Sequence, residues 1–299
     1  MIRVTSDTTI HSFSPDHPPI ATVESGATIL LSTADCFKGQ IRHEGTLVSH
    51  VDRSLANPAT GPVAIDGARP GDTLAVDILE LSPSTWGLTV AAPGMGLLGE
   101  LIDQERTHVV EVEQDGIKLG SAKLPYRPML GVIGVAPACG AVSTVRPGDH
   151  GGNLDCTLIR QGATVYLPIV VPGALFAAGD MHAAMGDGEV SGTGIEVPGT
   201  ALLCLRVLSG LAIDGPWVET GDSLAAIASA TTLDAAVRIA TTRAVRYIAA
   251  SLSIDFVEAY MLGGAALRLR ICQVVNPLAT VRAEIPKWLL PEDKRSLGR

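Results

Sequence analysis

Glycine and proline interrupt this chain so often, 32 and 19 times in 299 residues, that its apolar runs are left mostly at strand length. Those runs are rich in Val, Ile and Thr, whose branched side chains suit a pleated, half-buried surface. The segments "ATILLST" (27–33), "TLAVDILEL" (73–81), "THVVEVEQDGIKLG" (107–120), "ATVYLPIVV" (163–171), "TALLCLRVL" (200–208) and "LRLRICQVV" (267–275) all read as strands. Within 73–81, Leu74, Val76, Ile78 and Leu79 nearly alternate with polar residues, and the Asp115-Gly116 pair between two apolar runs is a hairpin signal. One segment departs from this pattern. Over 231–252, Leu233, Val237, Ala240, Ala244 and Ile248 recur at helical spacing, Thr232 can cap the start, and Arg238, Arg243 and Arg246 fall off the stripe. A second, shorter helix is expected over 255–262. The expected fold is therefore mainly β with an α+β portion: sandwich- or barrel-like sheets with a few helices in the C-terminal half. No linker rich in Ser, Pro or charge divides the chain, so it reads as one catalytic unit over 1–299, or as two interleaved β-rich subdomains of about 1–160 and 161–299.

Composition removes several function classes. A net charge of −9, with 22 scattered Lys and Arg, argues against nucleic acid as a partner. Aromatics at 4% leave too little for a base-stacking surface. The most apolar stretch, "ATVYLPIVVPGALFAAG", is broken by Pro168 and Pro172, so no membrane helix is expected. The start, "MIRVTSDTTIHSF", lacks the basic-then-apolar pattern of a secretory signal, and five cysteines without a CxxC pair suggest free thiols in a reducing compartment. The expectation is a cytoplasmic protein acting on a small molecule.

Against this charge-poor background two loops gather carboxylates and histidine. "RPGDHGGNLDC" (146–156) offers Asp149, His150, Asn153 and Asp155 around Gly151 and Gly152, whose freedom lets the loop fold back on itself. "AAGDMHAAMGDGEVSGTGIEV" (177–197) offers Asp180, His182, Asp187 and Glu189. If 179–183 is extended, Asp180 and His182 share a face, and Gly186 and Gly188 allow a turn that returns Asp187 or Glu189. Imidazole with carboxylates is a common ligand set for zinc and other divalent cations. From the residues alone, a shared metal site and two solvated turns both remain open. Asp35, at the end of a strand, is a further carboxylate, while the neighbouring Cys36 has nothing obvious to activate it. Ser191 lacks the nucleophile-elbow pattern because Glu189 stands where a glycine is needed. "GMGLLGE" (94–100) lacks the lysine of a phosphate loop.

At these residues the chain resembles the acetamidase/formamidase family of amide hydrolases. The resemblance rests on "NPATGPVAIDGARPGDTLAVDI" (57–78), "GVIGVAPACGAVSTVRPGDHGGNLD" (131–155), "PGALFAAGDMHAAMGDGEVSGTGIE" (172–196) and "CQVVNPLATVRAEIPK" (272–287), and runs from about residue 30 to about residue 290. It implies a β-rich fold with an α+β portion, a homodimer or higher homo-oligomer, and hydrolysis of short amides to carboxylate and ammonia. It also implies a divalent metal, zinc by preference, with calcium a candidate for a second ion. The family's acidic and histidine positions fall here on Asp35, His150, Asn153, Asp155, Asp180, His182, Asp187 and Glu189. Ser191 stands where the family commonly has Cys, which favours a metal-activated water over a thiol nucleophile in this chain; Gly194 stands where Ala is common.

The resulting expectation assigns Asp35, His150, Asp155, Asp180 and His182 to the metal, Asn153 to the substrate, and a proton shuttle to Glu189 with Asp187 as second choice. The few aromatics near the site suit a small aliphatic amide, and a lactam contains the same bond. Two other classes compete: a cupin-like metal oxygenase, which would want two histidines one residue apart, and a non-catalytic β-rich binding domain.

Overall fold

The computed structural model describes residues 2–298 and is built on two large sheets. One has nine strands in the spatial order Ile2–Val4, Ala27–Thr33, Gly199–Leu208, Thr73–Pro83, Thr164–Pro168, Trp217–Glu219, Ser223–Ala230, Ala279–Pro286, Arg268–Gln273. The other has eleven strands and is centred on Phe176–Ala184, which lies between Met129–Gly134 and Ile195–Val197 and also pairs with Ala59–Ile65. Nearly every ladder is antiparallel; Ile2–Val4 on Ala27–Thr33 and Ala21–Val23 on Ala59–Ile65 are the parallel ones. Each sheet draws strands from both halves of the chain. The main core lies where Ile29, Leu31, Val76, Ile78 and Leu203 meet Ile133, Phe176, Met181 and Val197.

The strands expected from β-former content are present, with shifted ends: 163–171 contracts to Thr164–Pro168, ending on Pro168 with Pro172 beyond it, and 107–120 is a hairpin of Arg106–Glu113 and Gly116–Leu119. Helix α1 spans Leu233–Leu252 with Thr232 accepting from the Ala235 amide, and α2 spans Phe256–Ala266 with Asp255 capping Glu258. The second helix runs four residues beyond its expected end because Gly263 and Gly264 are tolerated within it, Gly263 lying close against Val245 of α1.

Arg243 corrects the helical stripe. It was expected off the buried face, yet it is buried; its guanidinium donates to the Ile227 carbonyl (2.7 Å) and pairs with Asp149 and Asp214. The long side chain crosses from α1 to satisfy polar groups at the sheet, as a buried charge must. Asp149 is thereby drawn away from the loop chemistry it could have joined.

Candidate active site

Three of the residues that build the site have backbones in the left-handed region: Asp155 (φ 42°), Asp180 (φ 54°) and Glu189 (φ 46°). Non-glycine residues rarely adopt this conformation, and such strain gathers at functional sites. Asp180 and His182 lie on the fully buried strand Phe176–Ala184, and His182 Nε2 is 3.6 Å from Asp180 Oδ1. On the neighbouring strand, Glu196 is paired in register with His182 and its Oε1 is 3.0 Å from the same ring nitrogen. On the other side, Met129–Gly134 sets Gly131 opposite Asp180, between the pairs Leu130–Met181 and Val132–Gly179. The Gly131 carbonyl accepts from the amides of Leu154 and Asp155, which anchors Asp155 beside the strand. Gly131 is required by contact: a Cβ there would lie 2.5 Å from Asp155 Oδ1 and 2.7 Å from Asp180 Oδ2.

Asp155, His182 and Glu189 offer ligand atoms that all lie within 4.8 Å of one another, and so do Cys36, Asp180 and Glu196. Asn57 donates to Asp180 Oδ2 (3.1 Å) and Asn276 to Asp155 Oδ2 (2.6 Å). Four buried carboxylates thus converge with one imidazole, and His182 is the only cationic partner they have among the described residues. Asp155 Oδ1, Asp180 Oδ1, His182 Nδ1 and Glu196 Oε2 are buried without a hydrogen-bond partner among the described residues. So much unbalanced negative charge in a low-dielectric interior must be met by protons or by a cation. Burial pushes up the pKa of Asp155, Glu189 and Glu196, and neighbouring carboxylates push in the same direction. For His182, burial alone would favour the neutral ring, but Glu196 and Asp180 outweigh it and raise the pKa. The donor set, oxygens with one imidazole nitrogen, fits a divalent cation.

The structure brings four of the sequence-selected residues together and sends others elsewhere. Asp155, Asp180, His182 and Glu189 meet. Asp187 turns away: it receives both Nη groups of Arg282 (2.9 and 2.8 Å) and the Thr157 hydroxyl (2.7 Å). His150 lies edge-on to Phe13 at 5.2 Å and is in neither ligand group; burial lowers its pKa to about 4. Asp35 is buried and accepts from the amides of Phe37 and Gly39, so it shapes the turn that presents Cys36. Burial, reinforced by Glu196 and Asp180, raises the Cys36 pKa well above the usual thiol range. Asn153 is buried one strand away, its carbonyl accepting from Asn276 (3.4 Å). Ser191 donates to the Thr193 carbonyl outside both groups.

Sequence reasoning missed Glu196, Asn57 and Asn276. Glu196 carried a signal, a lone carboxylate between Ile195 and Val197 in a strand buried at all three positions. The two asparagines lie more than 120 residues from the acids they hold, and nothing in their local sequence marks them.

A cavity of about 480 Å³ adjoins the acids through Asn57 and Asn276, which line it together with Cys36 and Thr193. A β-rich scaffold with a buried carboxylate–imidazole centre beside such a cavity defines an enzyme-type site suited to a divalent cation. The profile of the Acetamidase/Formamidase family matches residues 3–142 and 138–290, and the chain belongs to that family. It is similar to the crystal structure of an acetamidase from Bacillus halodurans, with a TM-score of 0.94 and 41% identity over 95% of this chain and 97% of that one. A protein described as a predicted acetamidase/formamidase from Thermoanaerobacter tengcongensis superposes with a TM-score of 0.94 and 39% identity, covering 96% of each chain. The formamidase of Methylophilus methylotrophus is 29% identical over 70% of this chain and 65% of its own. The chain spans between 62% and 67% of the length of the curated relatives it matches.

Proposed function

We propose that this chain hydrolyses linear short-chain amides to a carboxylate and ammonia, with a divalent cation held by Asp155, Asp180 and His182 and with Glu189 moving the proton. The observation that carries the reading is the pair of adjoining buried groups, Asp155 with His182 and Glu189, and Asp180 with Glu196 and Cys36, in which Asp155 Oδ1, Asp180 Oδ1 and His182 Nδ1 have no hydrogen-bond partner among the described residues. Family membership and relatives named formamidase and acetamidase support the amide substrate. Zinc is the ion we favour, because it accepts mixed nitrogen and oxygen donors and tolerates four-coordination.

An amide resists attack because resonance stabilises it and its nitrogen leaves poorly. A bound divalent cation would polarise the carbonyl and bring the pKa of a water down toward about 7. The protein's own groups supply the rest. Asn57 and Asn276 line the cavity and hold Asp180 and Asp155 by hydrogen bonds, fixing two donors against rotation. Glu196 holds the His182 ring through Nε2, and Nδ1 has no hydrogen-bond partner among the described residues. Glu189 is 8% exposed, against 0% for Asp155, 2% for Asp180 and 1% for Glu196. It is the carboxyl best placed to exchange a proton with incoming water and deliver it to the leaving nitrogen.

The competing oxygenase reading needs two histidines and a carboxylate around iron. Neither ligand group holds more than one histidine, which weighs against it. The deciding experiment is ammonia release from formamide and acetamide before chelation, after chelation and after return of zinc. Loss and recovery of turnover supports the reading; turnover indifferent to chelation, or no ammonia at all, removes it.

A further inference from the structure

Resting on the amide-hydrolase reading, we propose that the cavity beside the acids is an acyl pocket that favours linear aliphatic amides of about four to six carbons over formamide and acetamide. Its volume, about 480 Å³, lies within the range of roughly 300–1,000 Å³ typical of sites for larger ligands. Formamide and acetamide have three and four non-hydrogen atoms. At roughly 30 Å³ for a water-sized group, they need on the order of 100 Å³ and would leave most of the cavity to solvent.

The cavity lining is chemically mixed. Asn57 and Asn276 touch both the cavity and the acids, so the polar amide group belongs beside them. The lining also carries the apolar side chains Phe37, Val48, Val51, Met95, Val145 and Val275. This apolar lining has packed support. Phe37 and Val48 belong to a buried cluster with Ile41, Leu88 and Val90, and Val51 and Met95 pack against it. A supported apolar wall keeps its shape when water leaves, so an alkyl chain laid on it gains burial without ordering a loop. Asp52 and Arg53, both exposed, also line the cavity and add charge to it. An alkyl chain long enough to reach them would be laid against charge, which limits chain length.

Burying one methylene is worth about 0.8 kcal/mol, which converts to about fourfold in kcat/KM. The test is ammonia release by the metal-loaded full chain over formamide, acetamide, propionamide, butyramide, pentanamide and hexanamide. The expected result is a rise of about fourfold per added methylene, with the maximum between butyramide and hexanamide. Val51→Phe and Met95→Phe, made separately, fill the wall and should each lower the hexanamide-to-acetamide ratio of kcat/KM about tenfold. Should one variant fail to fold, the other decides. A profile that peaks at formamide or acetamide and falls with length overturns the acyl pocket while leaving amide hydrolysis intact. An unchanged ratio in a folded variant also overturns it. Absence of ammonia from every amide removes both readings together.

Discussion

Gly131→Ala adds a single methyl at the most crowded point of the site. Its Cβ would lie 2.5 Å from Asp155 Oδ1, 2.7 Å from Asp180 Oδ2 and 3.1 Å from the Asp180 carbonyl oxygen. Carbon and oxygen in ordinary contact stay about 3.3 Å apart, so the two carboxylates must retreat by about 0.8 and 0.6 Å. Neither can move freely, since Asn276 holds one and Asn57 the other. Overpacking of this kind costs about 1–3 kcal/mol of stability. In a chain of this length that lowers Tm by about 2–6 °C. The effect on turnover is larger. Sites of this kind need their groups within about 0.5 Å of working geometry, and a displacement near 1 Å costs about 100-fold. The assay is kcat/KM for ammonia release at a temperature where circular dichroism shows the variant folded, with bound metal measured on the same sample. Gly221→Ala is the control, because a Cβ there meets nothing within 4 Å. A folded Gly131→Ala protein with parental kcat/KM and parental metal content would refute the claim that Asp155 and Asp180 act together through this contact.

Three further outcomes are expected. Asp187→Ala should retain metal but lose about 1–3 kcal/mol, since Arg282, only 5% exposed at its side chain, would keep Glu284 as its one carboxylate; loss of metal in the folded variant would return Asp187 to the site. Thr232→Ala should cost about 1 kcal/mol in thermal or urea denaturation by removing the α1 cap, with kcat unchanged; an unchanged stability would show the cap to be idle. Burial of Asp77 would raise its pKa, but hydrogen bonds from Arg206 and Thr164 outweigh burial and lower it. The folded pKa lies below the unfolded one, so this stabilisation is complete above the unfolded value near about 4 and fades as pH falls through the folded value. The Tm gap between parent and Asp77→Asn should therefore be open at pH 7 and narrow toward pH 3; a gap that widens on acidification contradicts the sign.

How much of this was legible in the chain depended on whether the signal was local. Runs of β-formers marked Ala27–Thr33 and Gly199–Leu208, which have one face on the core, and near-alternation marked Thr73–Pro83, whose first four residues are buried on both faces. Central strands such as Met129–Gly134, buried at all six positions, offer no alternation and were not singled out. Within the site, Asp180 and His182 do lie side by side, 3.6 Å apart, although the left-handed backbone of Asp180 departs from the extended geometry that the two-residue spacing assumed. Loop membership was less informative. His150 and Asp187 sit among the same glycines and acids as Asp155 and Glu189, yet Phe13 and Arg282 hold them elsewhere. Those partners are distant in sequence, as Asn57 is from Asp180 and Asn276 from Asp155, so only the folded sheet could sort the residues.

The central claim is that the buried acids and His182 hold a cation on which amide hydrolysis depends, while Glu189 acts on protons without holding it. The most direct test measures metal per chain and kcat for acetamide on the same samples of parent, Asp155→Asn and Glu189→Gln. The account predicts that Asp155→Asn loses metal and turnover together and recovers in part with excess zinc. It predicts that Glu189→Gln keeps parental metal while kcat falls about 10²–10⁴-fold. Parental turnover in metal-free Asp155→Asn, or parental kcat in Glu189→Gln, would contradict it.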